Sequence, residues 1–237
     1  MKIVCIGDSL ALPGHLNTYE DTWFYHLKKI FPADDFISYF RRELTSDVLV
    51  SLGGGEAGVD KWPNGADCLE AFLPEVVIIH LGIVDCAPRL LHKVESFFLP
   101  RLPQKAASLY ITAVKTMRSR SVKRVLVPLE RYRSNFERYF ERCTKNEVQK
   151  VILVQIPHPD KKMVDKNTDI ITNVNAYNEI LAAFGNKYDF VEVVNPLDSR
   201  AHQVEIFEDG YHPNSLGHTL IVNELVVALK KVITGKR

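Results

Sequence analysis

The sequence predicts an α/β protein, an open and largely parallel sheet with helices packed on both faces. Three observations predict it. Short Val- and Ile-rich runs alternate with longer stretches of helical period, the pattern of repeated βαβ units with right-handed crossovers. The runs are apolar nearly throughout, as strands read when both their faces are covered. Glycine-bearing loops follow the first three of them.

Taken in order, the first expected strand is 2–6, which carries Ile3, Val4, Cys5 and Ile6 and is broken by Gly7. A helix is expected over 21–31 and a second strand over 47–52, the latter ending at the Gly53-Gly54-Gly55 run. A helix over 59–72 leads to the third strand, 76–81, and the loop Gly82 to Arg89. Helices over 104–119 and 131–150 precede the fourth strand, 151–156. A helix over 171–184, a fifth strand over 190–194 and a last helix over 215–233 complete the series. No repeat, linker or low-complexity segment interrupts it.

The 237 residues, 46% hydrophobic, suffice for one well-buried domain. A formal net charge of +1 gives no global field for nucleic acid. The chain opens straight into a strand, without a secretory signal, and nowhere runs 18 apolar residues together, so a cytoplasmic protein without a transmembrane segment is expected. Cys5, Cys68, Cys86 and Cys143 lie far apart with no Cys-x-x-Cys pair, which fits buried free thiols better than disulfides or zinc. Residues 100–150 are basic and long for one crossover. They read either as a solvated helical pair or as an insertion that docks an acidic glycan, a membrane surface or a partner.

In open α/β sheets ligands collect beyond the carboxyl ends of the strands. Ser9, the three-glycine run and the loop after Gly82 are therefore expected on one rim. Gly7-Asp8-Ser9-Leu10 leaves a serine at the mouth of the first strand, where a following helix would aim its first N–H groups at the hydroxyl. In Asp209-Gly210-Tyr211-His212-Pro213 a carboxylate stands three residues before an imidazole. In a turn, Asp209 can accept from Nδ1–H of His212 while Nε2 faces Ser9, the parts of a nucleophilic acyl-transfer site. Asp8 is expected to hold its turn through backbone hydrogen bonds. Its place beside Ser9 also sets it with Val84, Asp85 and Arg89 among the residues expected at the substrate. Cys86 lies near the same rim but no histidine motif addresses it, and His80 reads as a hydrogen-bonded core residue. Trp23, Trp62 and Tyr211 are candidates for a pocket wall or for the core.

These blocks resemble the SGNH hydrolases, the GDSL-type esterase and lipase superfamily, over nearly the whole chain. The match rests on Gly7-Asp8-Ser9-Leu10, on Asp209-Gly210-Tyr211-His212-Pro213 followed by Gly217-His218, and on Asn178 within Asn175-Ala176-Tyr177-Asn178-Glu179. The resemblance implies a flavodoxin-like three-layer α/β/α sandwich with a five-stranded parallel sheet, and neither metal nor cofactor. It implies Ser9 as nucleophile, His212 as base and Asp209 as its orienting acid. It further implies an oxyanion hole made by the Ser9 N–H and a glycine after the second strand, Gly55 with Gly54 as the alternative. The family's third donor is an asparagine in a Gly-x-Asn-Asp block, and here that block is Gly82-Ile83-Val84-Asp85. Val84 has no side-chain donor, and losing one such donor typically costs about 10²–10³ in rate. Arg89 is the nearest substitute by position, and it is also suited to pairing a substrate carboxylate or phosphate. The segment 82–89 is similar to a variant block in SGNH-like proteins linked to surface-polysaccharide synthesis. Three functions follow as expectations: an ester hydrolase acting on O-acyl groups of a glycan or a small ester, an O-acyltransferase, or a non-catalytic acyl-glycan-binding module. Acyl chain, acceptor and oligomeric state are not legible.

Overall fold

The structure is a computed structural model that describes residues 1–50, 67–89, 91, 93–118, 124–166, 169–197 and 205–235. Five parallel strands, β1 (Lys2–Gly7), β2 (Asp35–Phe40), β3 (Val76–His80), β4 (Lys150–Val154) and β5 (Val191–Val194), stand in the order β2-β1-β3-β4-β5. The helices are α1 (Trp23–Ile30), α2 (Asp67–Phe72), the single turn α3 (Ile83–Cys86), α4 (Lys93–Phe98), α5 (Gln104–Arg118), α6 (Leu129–Lys145), α7 (Lys161–Lys166), α8 (Asp169–Lys187) and α9 (Ser215–Gly235).

Strand alternation explains the three layers. Ile3 and Cys5 of β1, Val76 and Ile78 of β3, and Ile152 and Val154 of β4 point to one face, where Trp23, Phe24 and Leu27 of α1 and Ile221, Leu225 and Leu229 of α9 cover them. Val4 and Ile6, Val77 and Ile79, and Val151 and Leu153 point to the other. There Tyr132, Phe136, Tyr139 and Phe140 of α6 and Val174, Ile180, Leu181 and Phe184 of α8 close the second layer. Two apolar faces per strand require two covers, which is why the runs read as continuous rather than alternating. The C-terminal half of the basic region is thus part of this layer: α6 buries an aromatic stripe at helical spacing and turns its charges outward.

The second strand differs from the sequence expectation. It is Asp35–Phe40, while the segment expected as a strand at 47–52 forms a short 3-10 turn, Ser46–Leu49, capped by Val50, with residues 51 and 52 outside the described residues. Among the described residues β2 pairs only with β1 and sits at the sheet edge, so Phe36 alone of its residues is buried and its sequence, with Asp35 and Ser38, lacks a continuous apolar run. Val48 and Leu49 are buried, but in a turn that packs on α6. A short apolar run reports burial and does not by itself report conformation. The helix expected over 131–150 ends at Lys145, and residues 146–149 turn the chain into β4, whose first residue is Lys150.

Candidate active site

The strand order reverses between β1 and β3, which are neighbours in the sheet but lie apart in sequence. Loops leaving adjacent strands at such a point open a crevice beyond their carboxyl ends. Ser9 leaves β1 there and Gly82 leaves β3.

The turn at Ser9 is built by its neighbours. Gly7 lies so close to Ala11 and Phe40 that a Cβ would come within 2.7 Å of the Ala11 Cβ. Asp8 caps the 3-10 turn Ser9–Ala11, its Oδ1 accepting from the Leu10 N–H at 2.9 Å, while its own N–H donates to the His80 carbonyl at 3.2 Å. Ser9 is the first residue of that turn, so its N–H has no acceptor within it. The expected helix is therefore a three-residue turn. Gly82 has φ +135°, and a Cβ there would meet Ile156 at 2.6 Å and the Tyr132 hydroxyl at 2.9 Å, so the sharp exit from β3 needs glycine.

Asp209, Gly210, Tyr211 and His212 form a tight loop closed by the Phe207–Pro213 bridge and by the Glu208 N–H donating to the His212 carbonyl at 2.9 Å. The Asp209 Oδ1 accepts from the His212 N–H at 3.1 Å. Its Oδ2 lies 2.7 Å from Nδ1 of His212, whose Nε2 lies 3.0 Å from the Ser9 Oγ. An ionised carboxylate only accepts, so Nδ1 carries the ring proton and Nε2 presents its lone pair to the hydroxyl. Burial alone would raise the Asp209 carboxyl. The hydrogen bonds from His212 and Tyr211 and the nearby imidazole outweigh it and hold that carboxyl below its ordinary value. The ring of Tyr211 lies against that of His212, with centroids 4.2 Å apart.

The segment after Ser9 is tied to this loop by residues the sequence did not single out. The Glu208 carboxylate accepts from the His15 N–H at 2.8 Å and the Leu16 N–H at 3.3 Å. Asn17 donates to the Pro213 carbonyl at 2.9 Å and accepts from the Ser215 hydroxyl at 3.0 Å. These bonds span more than 190 residues of sequence and fix the distance between the serine and histidine loops. Only the tertiary fold brings them together, and no local pattern marks Glu208 or Asn17. Asn178 joins α8 to the end of β4, bonding both the N–H and the carbonyl of Ile156 at 2.9 Å.

A cleft of about 510 Å³ opens over the serine, lined by Ser9, His212, Tyr211 and Met163, by Ile83, Val84 and Arg89 with the intervening Ala87-Pro88, and by Arg42 and Glu43. Val84 and Arg89 thus reach the cleft, and Tyr211 forms part of its wall. Trp23, the first residue of α1, is buried in the core, and Trp62, Gly54 and Gly55 lie outside the described residues. Because β2 ends at Phe40, the residues that leave the second strand for the rim are Arg42 and Glu43.

Asp8 and Asp85, expected beside the substrate, are corrected here: both are fully buried and neither lines the cleft. Asp85 takes the Ser46 hydroxyl at 2.6 Å and the Ser46 N–H at 2.9 Å, and so ties α3 to the turn after β2. Burial raises its carboxyl to about 7 against the pull of Ser46. Burial raises Asp8 to about 8; the Leu10 and Gly82 amides oppose this, and the Asp85 carboxylate adds to it. Cys86 is buried and its thiol is pushed well above the ordinary value by that burial, so it has no thiolate character. His80 is buried too, and burial lowers it to about 3. Neither of its ring nitrogens has a partner among the described residues, contrary to the expected hydrogen-bonded role. No group of His, Cys, Asp and Glu suited to a metal occurs among the described residues.

At the level of sequence, no protein-family model and no curated protein matches the chain. Solved structures do match. A psychrotrophic esterase from Pseudoalteromonas, solved with a monoethylphosphonate inhibitor, has a TM-score of 0.57 at 17% identity over 98% of both chains. A GDSL-like lipase from Bacteroides thetaiotaomicron has 0.57 at 16% over 98% of this chain and 88% of its own. An active-site mutant of a family two carbohydrate esterase from Clostridium thermocellum has 0.58 at 12%, over 98% of this chain and 64% of its own.

Proposed function

We propose that this chain, which has the fold of the SGNH (GDSL-type) hydrolases, is a serine-dependent ester hydrolase acting on O-acyl groups of a carbohydrate or related small ester. The observation that carries the reading is the unbroken line from the Asp209 carboxylate through His212 to the Ser9 hydroxyl, at 2.7 and 3.0 Å. At those distances His212 takes the hydroxyl proton as the Ser9 Oγ attacks the ester carbonyl, and Asp209 stabilises the imidazolium that forms. The imidazolium then protonates the leaving alcohol. Water, deprotonated by the same ring, releases the acid from the acyl-enzyme. The Ser9 N–H supplies an oxyanion donor, and Val84 offers only hydrocarbon where the resembling proteins have an amide, so turnover is slow. The carbohydrate esterase of like fold supports a glycan ester as substrate. The four buried free thiols support a reducing, cytoplasmic setting. Among the described residues no helix is long and apolar enough to cross a membrane.

Capture of the acyl group by a sugar hydroxyl instead of water is the second reading, since the same line from Asp209 through His212 to Ser9 serves either acceptor. The test is direct: purified protein hydrolyses a short-chain activated ester, and Ser9→Ala removes that activity. Equal rates for variant and parent would take Ser9 out of the mechanism. Adding sugar acceptors to the same reaction and weighing the products separates transfer from hydrolysis.

A further inference from the structure

We infer that the cleft over Ser9 holds an anion subsite, formed by Arg42 and Arg89, and that the preferred ester bears a carboxylate or phosphate group. This rests on the ester-hydrolase reading for its chemistry but not for its binding.

The two arginines come from different elements. Arg42 follows β2 and Arg89 follows α3, yet both line the one cleft that also contains Ser9 and His212. Each guanidinium is anchored to a main-chain carbonyl rather than to an acid: an Nη2 of Arg42 donates to Pro13 at 3.1 Å, and an Nη2 of Arg89 donates to Val84 at 3.3 Å. The Arg89 main chain is fixed as well, its N–H donating to the Arg124 carbonyl at 2.8 Å. A guanidinium has five N–H donors, so anchoring through one leaves the fork available. The Nε of Arg89 is buried and lacks a partner among the described residues, and a buried guanidinium N–H without an acceptor is costly. Neither arginine has a carboxylate partner among the described residues, whereas Arg131 and Arg142 on α6 are paired with Asp47 and Glu70.

The two cations also converge. Both line the cleft together with Tyr211, whose ring lies against that of His212 with centroids 4.2 Å apart. Among the described lining residues Glu43 is the one carboxylate set against the two arginines. The remaining wall is apolar: Ile83, Val84, Ala87, Pro88 and Met163. Two anchored guanidiniums without a carboxylate partner among the described residues, over an apolar floor, suit a planar carboxylate or a phosphate held while the neighbouring ester reaches Ser9.

Three acetyl esters of one shape test this: 4-acetoxybenzoate, 4-acetoxyphenyl phosphate and the neutral 4-acetoxybenzamide. At low salt, kcat/KM for at least one anionic ester should exceed that for the amide by about tenfold or more, with the difference carried in KM. Which anion wins identifies the source of the charge. Arg42→Gln and Arg89→Gln should each shrink the ratio, and the double variant should bring it near one. Arg42 is exposed and its replacement leaves the packing intact, so the test survives even if Arg89→Gln folds poorly. Equal kcat/KM for all three esters, or a preference that persists in the double variant, overturns the inference while leaving Ser9-dependent hydrolysis untouched. If no ester is turned over, calorimetric titration of 4-acetoxybenzoate, 4-acetoxyphenyl phosphate and 4-acetoxybenzamide into Ser9→Ala protein still decides. Binding of an anion and not of the amide supports the subsite, and binding of neither anion overturns it.

Discussion

Val84 sits at 6% exposure and lines the cleft as the second residue of the single helical turn that Gly82 precedes. An amide there would line the same cleft as the serine. Val84→Asn is therefore expected to raise kcat on a neutral activated ester by about tenfold or more, since one oxyanion donor is typically worth about 10²–10³ in rate. An unchanged kcat would mean that another donor already fills that place. Asp8 carries a different prediction. Its cap bond to Leu10 is one that asparagine makes equally well, whereas the ionised carboxylate is buried at a cost. Asp8→Asn should therefore raise Tm more at pH 8 than at pH 5, measured by thermal unfolding. An equal shift at both values would mean that the Asp8 charge is not what burial resists.

Among the elements, the loops that meet at Ser9 depend on Glu208 and Gly82 more than on the strands that launch them. Glu208→Ala removes the acceptor for two amides in the segment after Ser9. It should cost about 1–2 kcal/mol of stability and lower kcat about tenfold by loosening the serine against the imidazole. A loss of stability with kcat intact would separate Glu208 from the geometry of the site. Gly82→Ala forces a Cβ onto Ile156 and Tyr132 at φ +135°, with about 1–3 kcal/mol lost from backbone strain alone. The elements also show what the sequence could report. Ile3–Ile6 and Val76–Ile79 are buried on both sides, so their continuous apolar character announced central strands. β2 lies at the edge with Phe36 alone buried, and its exposed Asp35 and Ser38 hid it. The more apolar 47–52 took its place in the expectation, and with that error Arg42 and Glu43 went unseen at the rim. Asp8 and Asp85 failed for another reason: adjacency in sequence to Ser9 and Val84 says nothing about which way a carboxylate turns. The approach of Ser9 to His212 was legible because two loops at strand ends of one sheet share a rim, while the ties through Glu208 and Asn17 depend on contacts no local pattern encodes.

Across the whole molecule, four buried titratable groups oppose one another. Asp8 and Asp85 are raised to about 8 and about 7. Their contribution to stability is complete below an unfolded carboxylate's pKa, roughly 4, and is lost as pH rises through those raised values. His80 and His218, both lowered by burial, to about 3 and about 4 respectively, contribute in the opposite sense. Their contribution is complete above roughly 6.5 and is lost as pH falls through the lowered values. The two slopes offset each other between about pH 4 and 6.5, so these groups predict a flat Tm there, falling toward pH 8 on one side and toward pH 3 on the other. A Tm that climbs steadily from pH 6.5 to pH 8 would contradict that assignment.

The account as a whole turns on whether one hydroxyl is made nucleophilic by an imidazole that arrives from the far end of the chain, 203 residues away. Treating the protein with a fluorophosphonate and locating the adduct by mass spectrometry measures that directly. The account predicts a single covalent adduct on Ser9 in the parent protein and its loss in His212→Ala. An unlabelled Ser9 in the folded parent, or labelling that persists without His212, would contradict it.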